Sequence, residues 1–137
     1  MQKLYTATAT ATGGREGRVQ TKDKELDLAI DMPKALGGRG GAGTNPEQLF
    51  AAGYSACFDS ALNLVARTER EKIGQTSVTS HVSIGKDDSG FGLSVILEVH
   101  IPDISKERAE ELVQKAHGVC PYSKATKGNI EVELKVV

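Results

Sequence analysis

Residues Lys3 to Thr12 alternate, with Leu4, Thr6, Thr8, Thr10 and Thr12 on one side and Tyr5, Ala7, Ala9 and Ala11 on the other. A period of two with repeated β-branched Thr predicts a strand. Gly13-Gly14 ends it, Arg15 to Thr21 resumes as extended chain, and Lys22-Asp23-Lys24 makes a turn. Leu26, Leu28 and Ile30 then alternate with Asp27, Ala29 and Asp31, predicting a further strand and an antiparallel meander. Pro33 to Gly43 holds five glycines and reads as a connector; it lacks the Lys-Ser/Thr pair or GxGxxG spacing of a phosphate-binding loop.

The period then changes. Thr44-Asn45-Pro46-Glu47 supplies a capping side chain, a first-turn proline and an acid at the positive end of the dipole, so a helix should start here. It is expected to run to about Lys72. Leu49, Phe50, Tyr54, Cys57, Phe58, Ala61, Leu62, Leu64 and Val65 cover most of its circumference, which predicts a central, buried helix. Thr76 to Gly85 and Phe91 to Ile101 read as two strands around the turn Lys86 to Gly90. Ser105 caps a second helix, Lys106 to about Gly118, which Pro121 stops, and Asn129 to Val137 closes as a strand. The order βββ-α-ββ-α-β, mostly antiparallel, is α+β, one domain over 1–137.

Composition refines this picture at three points. Only 4% of the residues are aromatic and 39% hydrophobic, which favours a core completed by a second copy of the chain. Seventeen basic against eighteen acidic residues argue against nucleic-acid binding. The apolar window Leu49 to Ala66 has the length of a membrane span, but its Asp59, Asn63 and Gly53 favour a buried helix over insertion. The opening residues carry no apolar run of a signal peptide, so the expected compartment is the cytoplasm. Thiols are kept reduced there, and a disulfide between the two cysteines should be transient.

Those two cysteines, Cys57 and Cys120, are the candidate chemistry. Each alone could be a small buried hydrophobe. Cys120 lies at a helix end, where backbone can move. Cys57 lies mid-helix, where burial raises a thiol pKa and the macrodipole offers little relief. If Cys57 reacts, a cation must be brought to it. Arg15 and Arg18 are candidates; three positions apart in extended chain, they face opposite sides, and parity does not choose between them. A buried Arg needs a carboxylate, and Glu47 is the acid nearest the apolar helix start. Glu47 precedes Cys57 by ten residues, roughly 15 Å along an unbroken helix, so their link has to be indirect. His81, His100 and His117 lack the spacing of a metal site, and none is expected; His117 reads as helix surface or as support near Cys120.

Three separated motifs resemble the organic hydroperoxide resistance (Ohr) branch of the Ohr/OsmC superfamily. They are Tyr5-Thr6-Ala7 with Ala11-Thr12-Gly13-Gly14-Arg15, then Asn45 through Phe58, then Lys115 through Ser123 with Ala125-Thr126-Lys127-Gly128-Asn129. Glu16 stands where relatives often carry Asp. The resemblance spans essentially the whole chain. It implies an OsmC-like, intertwined homodimer and a thiol peroxidase that reduces organic hydroperoxides. By motif position Cys57 is the peroxidatic cysteine, Cys120 the resolving cysteine, Arg15 the thiolate-stabilising arginine and Glu47 its carboxylate anchor. It also implies no bound cofactor and a dithiol reductant, the lipoyl group of lipoylated proteins. A redox sensor that does not turn over, and a non-redox dimer binding an apolar ligand, are the rival readings.

Overall fold

The computed structural model describes residues 1–137. The chain forms two compact units, Met1–Leu49 and Phe50–Val137.

The first unit carries a three-stranded antiparallel meander of β1 (Ala9–Thr12), β2 (Arg18–Thr21) and β3 (Asp27–Ala29), in that spatial order. The expected first strand is shorter than its alternation suggests. Residues 1–8 have no strand partner in this chain, although Thr8 still accepts a bond from the Lys22 N–H. Alternation marks a chain able to be extended; pairing requires a neighbour. The stretch after Gly13 is also not extended from Arg15. Gly13 and Gly14 adopt φ of 75° and 56°, and Gly14–Glu16 turns as a short 3-10 helix before β2 begins. A Cβ on Gly17 would strike the Thr12 carbonyl, so this tight return needs glycine there. A second 3-10 turn, Lys34–Leu36, lies in the glycine-rich connector. Beyond it, Asp31 accepts the Gly43 N–H at 2.7 Å.

Helix α1 (Pro46–Thr68) opens as predicted, with Asn45 Oδ1 accepting the Gln48 N–H at 2.9 Å. It stops four residues early. Arg70 takes a left-handed φ of 55°, and Glu69 and Glu71 leave the helix line to meet Arg108 at 2.8 and 2.7 Å. In the second unit, β4 (Ser77–Asp87) and β5 (Gly90–His100) form a long hairpin, and β6 (Val132–Val136) joins β5 in parallel. Parallel pairing follows from the crossover that separates them, which contains α2 (Lys106–Val119) and α3 (Pro121–Thr126).

The core of this unit is made by Tyr54, Phe58, Leu62 and Val65 of α1, by the inward residues Val95, Leu97 and Val99 of β5, and by Leu112, Val113 and Ala116 of α2. Each fully buried Leu or Phe contributes about 1.5–3 kcal/mol. The window of α1 with mean hydropathy 1.2 is long enough to cross a membrane by composition alone, but six of its side chains are buried in the protein. Its apolar circumference is only partly covered. Ala52, Ala56, Ser60 and Leu64, four apart and therefore on one face, remain exposed.

Candidate active site

Arg15 and Glu47, 32 positions apart, meet within the first unit. The guanidinium donates from Nη1 to Oε2 at 2.8 Å and from Nη2 to Oε1 at 2.7 Å, a bidentate fork. The short 3-10 turn presents the arginine, and the first turn of α1 presents the acid. The hydrogen bond from Arg15 holds the Glu47 carboxyl below its usual range, and the carboxylate in turn raises Arg15. Each partner thus favours the ionised form of the other. Arg18, the other candidate, goes elsewhere: its Nε donates to Asp27 Oδ1 at 2.6 Å on the exposed face of the meander. Because Arg15 sits in a turn, the side-of-strand argument had no strand to act on.

Cys57 and Cys120 meet in the second unit. Both are free thiols, and their sulfurs lie 3.7 Å apart, with Cys120 donating to Cys57. Cys57 is half-buried on α1, whereas Cys120 is fully buried. The local reason is Pro121. The residue before proline is driven to extended backbone, and Cys120 has φ −62° and ψ 121°. It therefore ends α2 and caps α3, whose first residue is the proline. The sequence reading took Pro121 for a stop and missed that it also starts α3.

Burial pushes the Cys57 thiol up; the backbone N–H of Tyr122, donating to the sulfur, works against this, and neighbouring Cys120 adds to the rise. No cation of this unit is among those causes. The second unit thus brings the two sulfurs to 3.7 Å, and of the causes acting on the Cys57 thiol only the Tyr122 N–H lowers its pKa. Aromatic surroundings are also sorted by the fold. Tyr54 and Phe58 are fully buried and face the core, while Tyr122 is 40% exposed and packs edge-on against Phe50 at 6.3 Å.

The histidines go three separate ways. His81 Nε2 lies 3.2 Å from Glu98, His100 Nδ1 lies 3.2 Å from the Val137 carbonyl, and His117 Nδ1 lies 2.8 Å from Ser123 Oγ. Sequence reasoning did not single out Ser123, Thr126 or Tyr54 as a polar group. Tyr54 Oη is nevertheless 2.8 Å from Ser123 Oγ and 3.2 Å from Thr126 Oγ1, all buried. The proximity of Ser123 and Thr126 to Cys120 in sequence was the only available signal.

The family model described as "OsmC-like protein" matches residues 38–135. The organic hydroperoxide resistance protein of Xanthomonas axonopodis pv. citri is 55% identical over 132 residues, covering 96% of this chain and 93% of that protein. Organic hydroperoxide resistance protein OhrA of Bacillus subtilis is 56% identical over 138 residues, covering 98% and 97%. The crystal structure of an organic hydroperoxide resistance protein from Elizabethkingia anophelis, with crystallant-derived thiocyanate bound, superposes with TM-score 0.95 at 55% identity, covering 99% and 98%. This chain belongs to the OsmC-like family and, within it, to the organic hydroperoxide resistance proteins.

Proposed function

We propose that the protein is a cysteine peroxidase that reduces organic hydroperoxides to alcohols in the cytoplasm. The observation that carries this reading is the pair of free thiols 3.7 Å apart, one half-buried and one fully buried. The two sulfurs are neighbours although 63 positions separate them in the chain, close enough for a disulfide to form with a small shift of either side chain. Arg15, fixed by Glu47, supplies the cation that converts Cys57 to thiolate. The thiolate attacks one peroxide oxygen, the O–O bond breaks, and the alkoxide takes a proton and leaves as the alcohol. Cys57 is left as a sulfenic acid. The Cys120 thiol then displaces that hydroxyl, the S–S bond forms and water departs. An external dithiol, of the lipoyl type, reduces the disulfide by two exchanges and leaves as its own disulfide. No bound cofactor takes part.

The substrate side is apolar. Phe50 packs against the half-exposed Tyr122, whose backbone N–H donates to Cys57, and each methylene buried there contributes about 0.8 kcal/mol, so a few methylenes favour an alkyl peroxide by orders of magnitude over hydrogen peroxide. A second copy of the chain is the natural occupant of the surfaces left open. These are the exposed β1 and β3, the leading segment with Leu4 and Tyr5 over 80% exposed, and the Ala52–Leu64 face of α1.

The test is stopped-flow oxidation of the reduced protein by hydrogen peroxide, tert-butyl hydroperoxide and a fatty-acid hydroperoxide, followed by recycling with dihydrolipoamide or glutathione. Fastest reaction with the fatty-acid peroxide and recycling by the dithiol are expected. Oxidation without recycling by any thiol would instead make it a redox sensor, and an inert Cys57 would leave it a non-redox binder.

A further inference from the structure

Four hydrogen-bond contacts link the groups on either side of Cys120: His117 Nδ1 with Ser123 Oγ at 2.8 Å, Ser123 Oγ with Tyr54 Oη at 2.8 Å, Tyr54 Oη with Thr126 Oγ1 at 3.2 Å, and Thr126 Oγ1 donating to the Ser123 carbonyl at 3.0 Å. The three hydroxyls bring one proton each, and four contacts need four protons. The assignment runs one way. Thr126 spends its proton on the carbonyl and can only accept from Tyr54; Tyr54 then accepts from Ser123, and Ser123 accepts from His117. The fourth proton is therefore on His117 Nδ1.

The chain stands one helical turn from the sulfurs. Tyr54 and Cys57 are three apart on α1, as are Cys120 and Ser123 on the facing segment, so Tyr54–Ser123 runs beside Cys57–Cys120 as a second cross-link between the same two elements. The other polar ties between this segment and α1 are the Tyr122 N–H to the Cys57 sulfur and Thr126 Oγ1 to Tyr54 Oη, and of these side-chain links Tyr54–Ser123 is the shortest, so it bears directly on the sulfur–sulfur distance. Forming the disulfide closes the gap from 3.7 Å to about 2.05 Å, and the hydroxyl chain determines the position from which Cys120 starts.

We infer that the Tyr54–Ser123–His117 chain is the positioning device for the second cysteine, with His117 held as its Nδ1–H tautomer. The assignment deepens the peroxidase reading and rests on it for its role in turnover. Ser123, Tyr54 and His117 are positioning residues that act through Cys120. Misplacement by about 1 Å can cost a reaction up to a hundredfold, so loss of one link should be felt chiefly in disulfide closure.

Two measurements test it. Nitrogen-15 spectra of the reduced wild-type protein should show His117 protonated at Nδ1; protonation at Nε2 alone would overturn the proton assignment. Closure of the Cys57–Cys120 disulfide should then be timed after peroxide and, separately, with oxidised dithiothreitol, which closes it by exchange whether or not the protein is a peroxidase. Tyr54→Phe and His117→Leu should lower the ratio of closure rate to Cys57 oxidation rate about tenfold or more. His117→Asn, whose amide N–H occupies the Nδ1 place, should restore it to near wild type. Unchanged ratios in Tyr54→Phe and His117→Leu, or no rescue by Asn, would overturn the positioning role. Failure with peroxide together with the expected pattern in dithiothreitol would count against the peroxidase reading alone.

Discussion

Cys57 Sγ and Cys120 Sγ lie 3.7 Å apart although 63 residues separate them, and the two thiols are unequal. Cys57 is half-buried, whereas Cys120 is fully buried. This asymmetry supports the proposed order of events, with Cys57 reacting first. Cys57→Ser should abolish peroxide consumption altogether. Cys120→Ser should consume about one equivalent and stop at a sulfenic acid that over-oxidises. Intact-mass spectrometry after one equivalent of peroxide reads both outcomes, and an equal loss of the first reaction in the two variants would refute the division of labour.

The thiol proposed to react first is the one burial pushes up. On the proposed reading its activation depends on Arg15, and Arg15→Ala should slow Cys57 oxidation in proportion to the rise in thiol pKa, about 1.4 kcal/mol for each unit. Arg18→Ala removes only an exposed, solvent-screened pair with Asp27 and should leave the rate near wild type. Alkylation rate of Cys57 against pH, measured for both variants, gives the pKa directly. A Cys57 pKa unaltered in Arg15→Ala would remove Arg15 from the site.

Glu47 gives the pH dependence. Arg15 holds its folded-state pKa below the usual 4.5, so the unfolded chain binds this proton more tightly than the folded one. The pair's stabilisation is therefore fully present above 4.5 and is lost as pH falls below it through the depressed folded value. Compared with Glu47→Gln, the wild type should keep a constant advantage in Tm down to about pH 6 and lose it progressively below 4.5. Thermal melts of both proteins across this range check the sign. An advantage that grows on acidification would contradict the assignment.

How much of this was readable beforehand depended on how local the cause was. The start of α1 was legible because Asn45, Pro46 and Glu47 act within one turn. The strand pattern of β5 was legible because Val95, Leu97 and Val99 alternate against one core. The end of α1 was not, since it is set by Arg108, nearly forty residues away, drawing Glu69 and Glu71 off the helix line. The choice of Arg15 over Arg18 as the partner of Glu47 came from motif resemblance alone: parity was all the residues offered to separate the two, and the 3-10 turn made parity irrelevant. The buried hydroxyls were invisible because Ser123 and Thr126 look like ordinary helix polar residues until Tyr54 is brought to them.

In solution the chain should be a dimer with the disulfide inside each chain. The exposed meander and the Ala52–Leu64 face of α1 motivate the first part, and the adjacency of the two sulfurs within one chain motivates the second. Light scattering gives the mass, and a non-reducing gel of the peroxide-treated protein gives the connectivity. A folded monomer, or covalent dimers as the main oxidised form, would count against it.

Gly53 and Tyr122 provide the sharpest packing test near the cysteines. A Cβ at position 53 would come within 2.8 Å of the Tyr122 oxygen and 3.2 Å of its ring carbons. Tyr122 cannot yield freely, because its ring also packs against Phe50 and Tyr54 and its backbone N–H donates to Cys57. Two effects of Gly53→Ala oppose each other. Replacing a mid-helix glycine by alanine gains about 0.5–1 kcal/mol, whereas overpacking costs typically about 1–3 kcal/mol. The clash should win, and Gly53→Ala should be net destabilising. In a Tyr122→Phe background the 2.8 Å contact is gone and only the 3.2 Å ring contact remains, so the same change should be neutral or stabilising. The two substitutions should therefore couple by about 1 kcal/mol in a double-mutant cycle of urea melts. Additive effects would mean that the Tyr122 ring does not rest on Gly53, and that its N–H is not held at Cys57 by this packing.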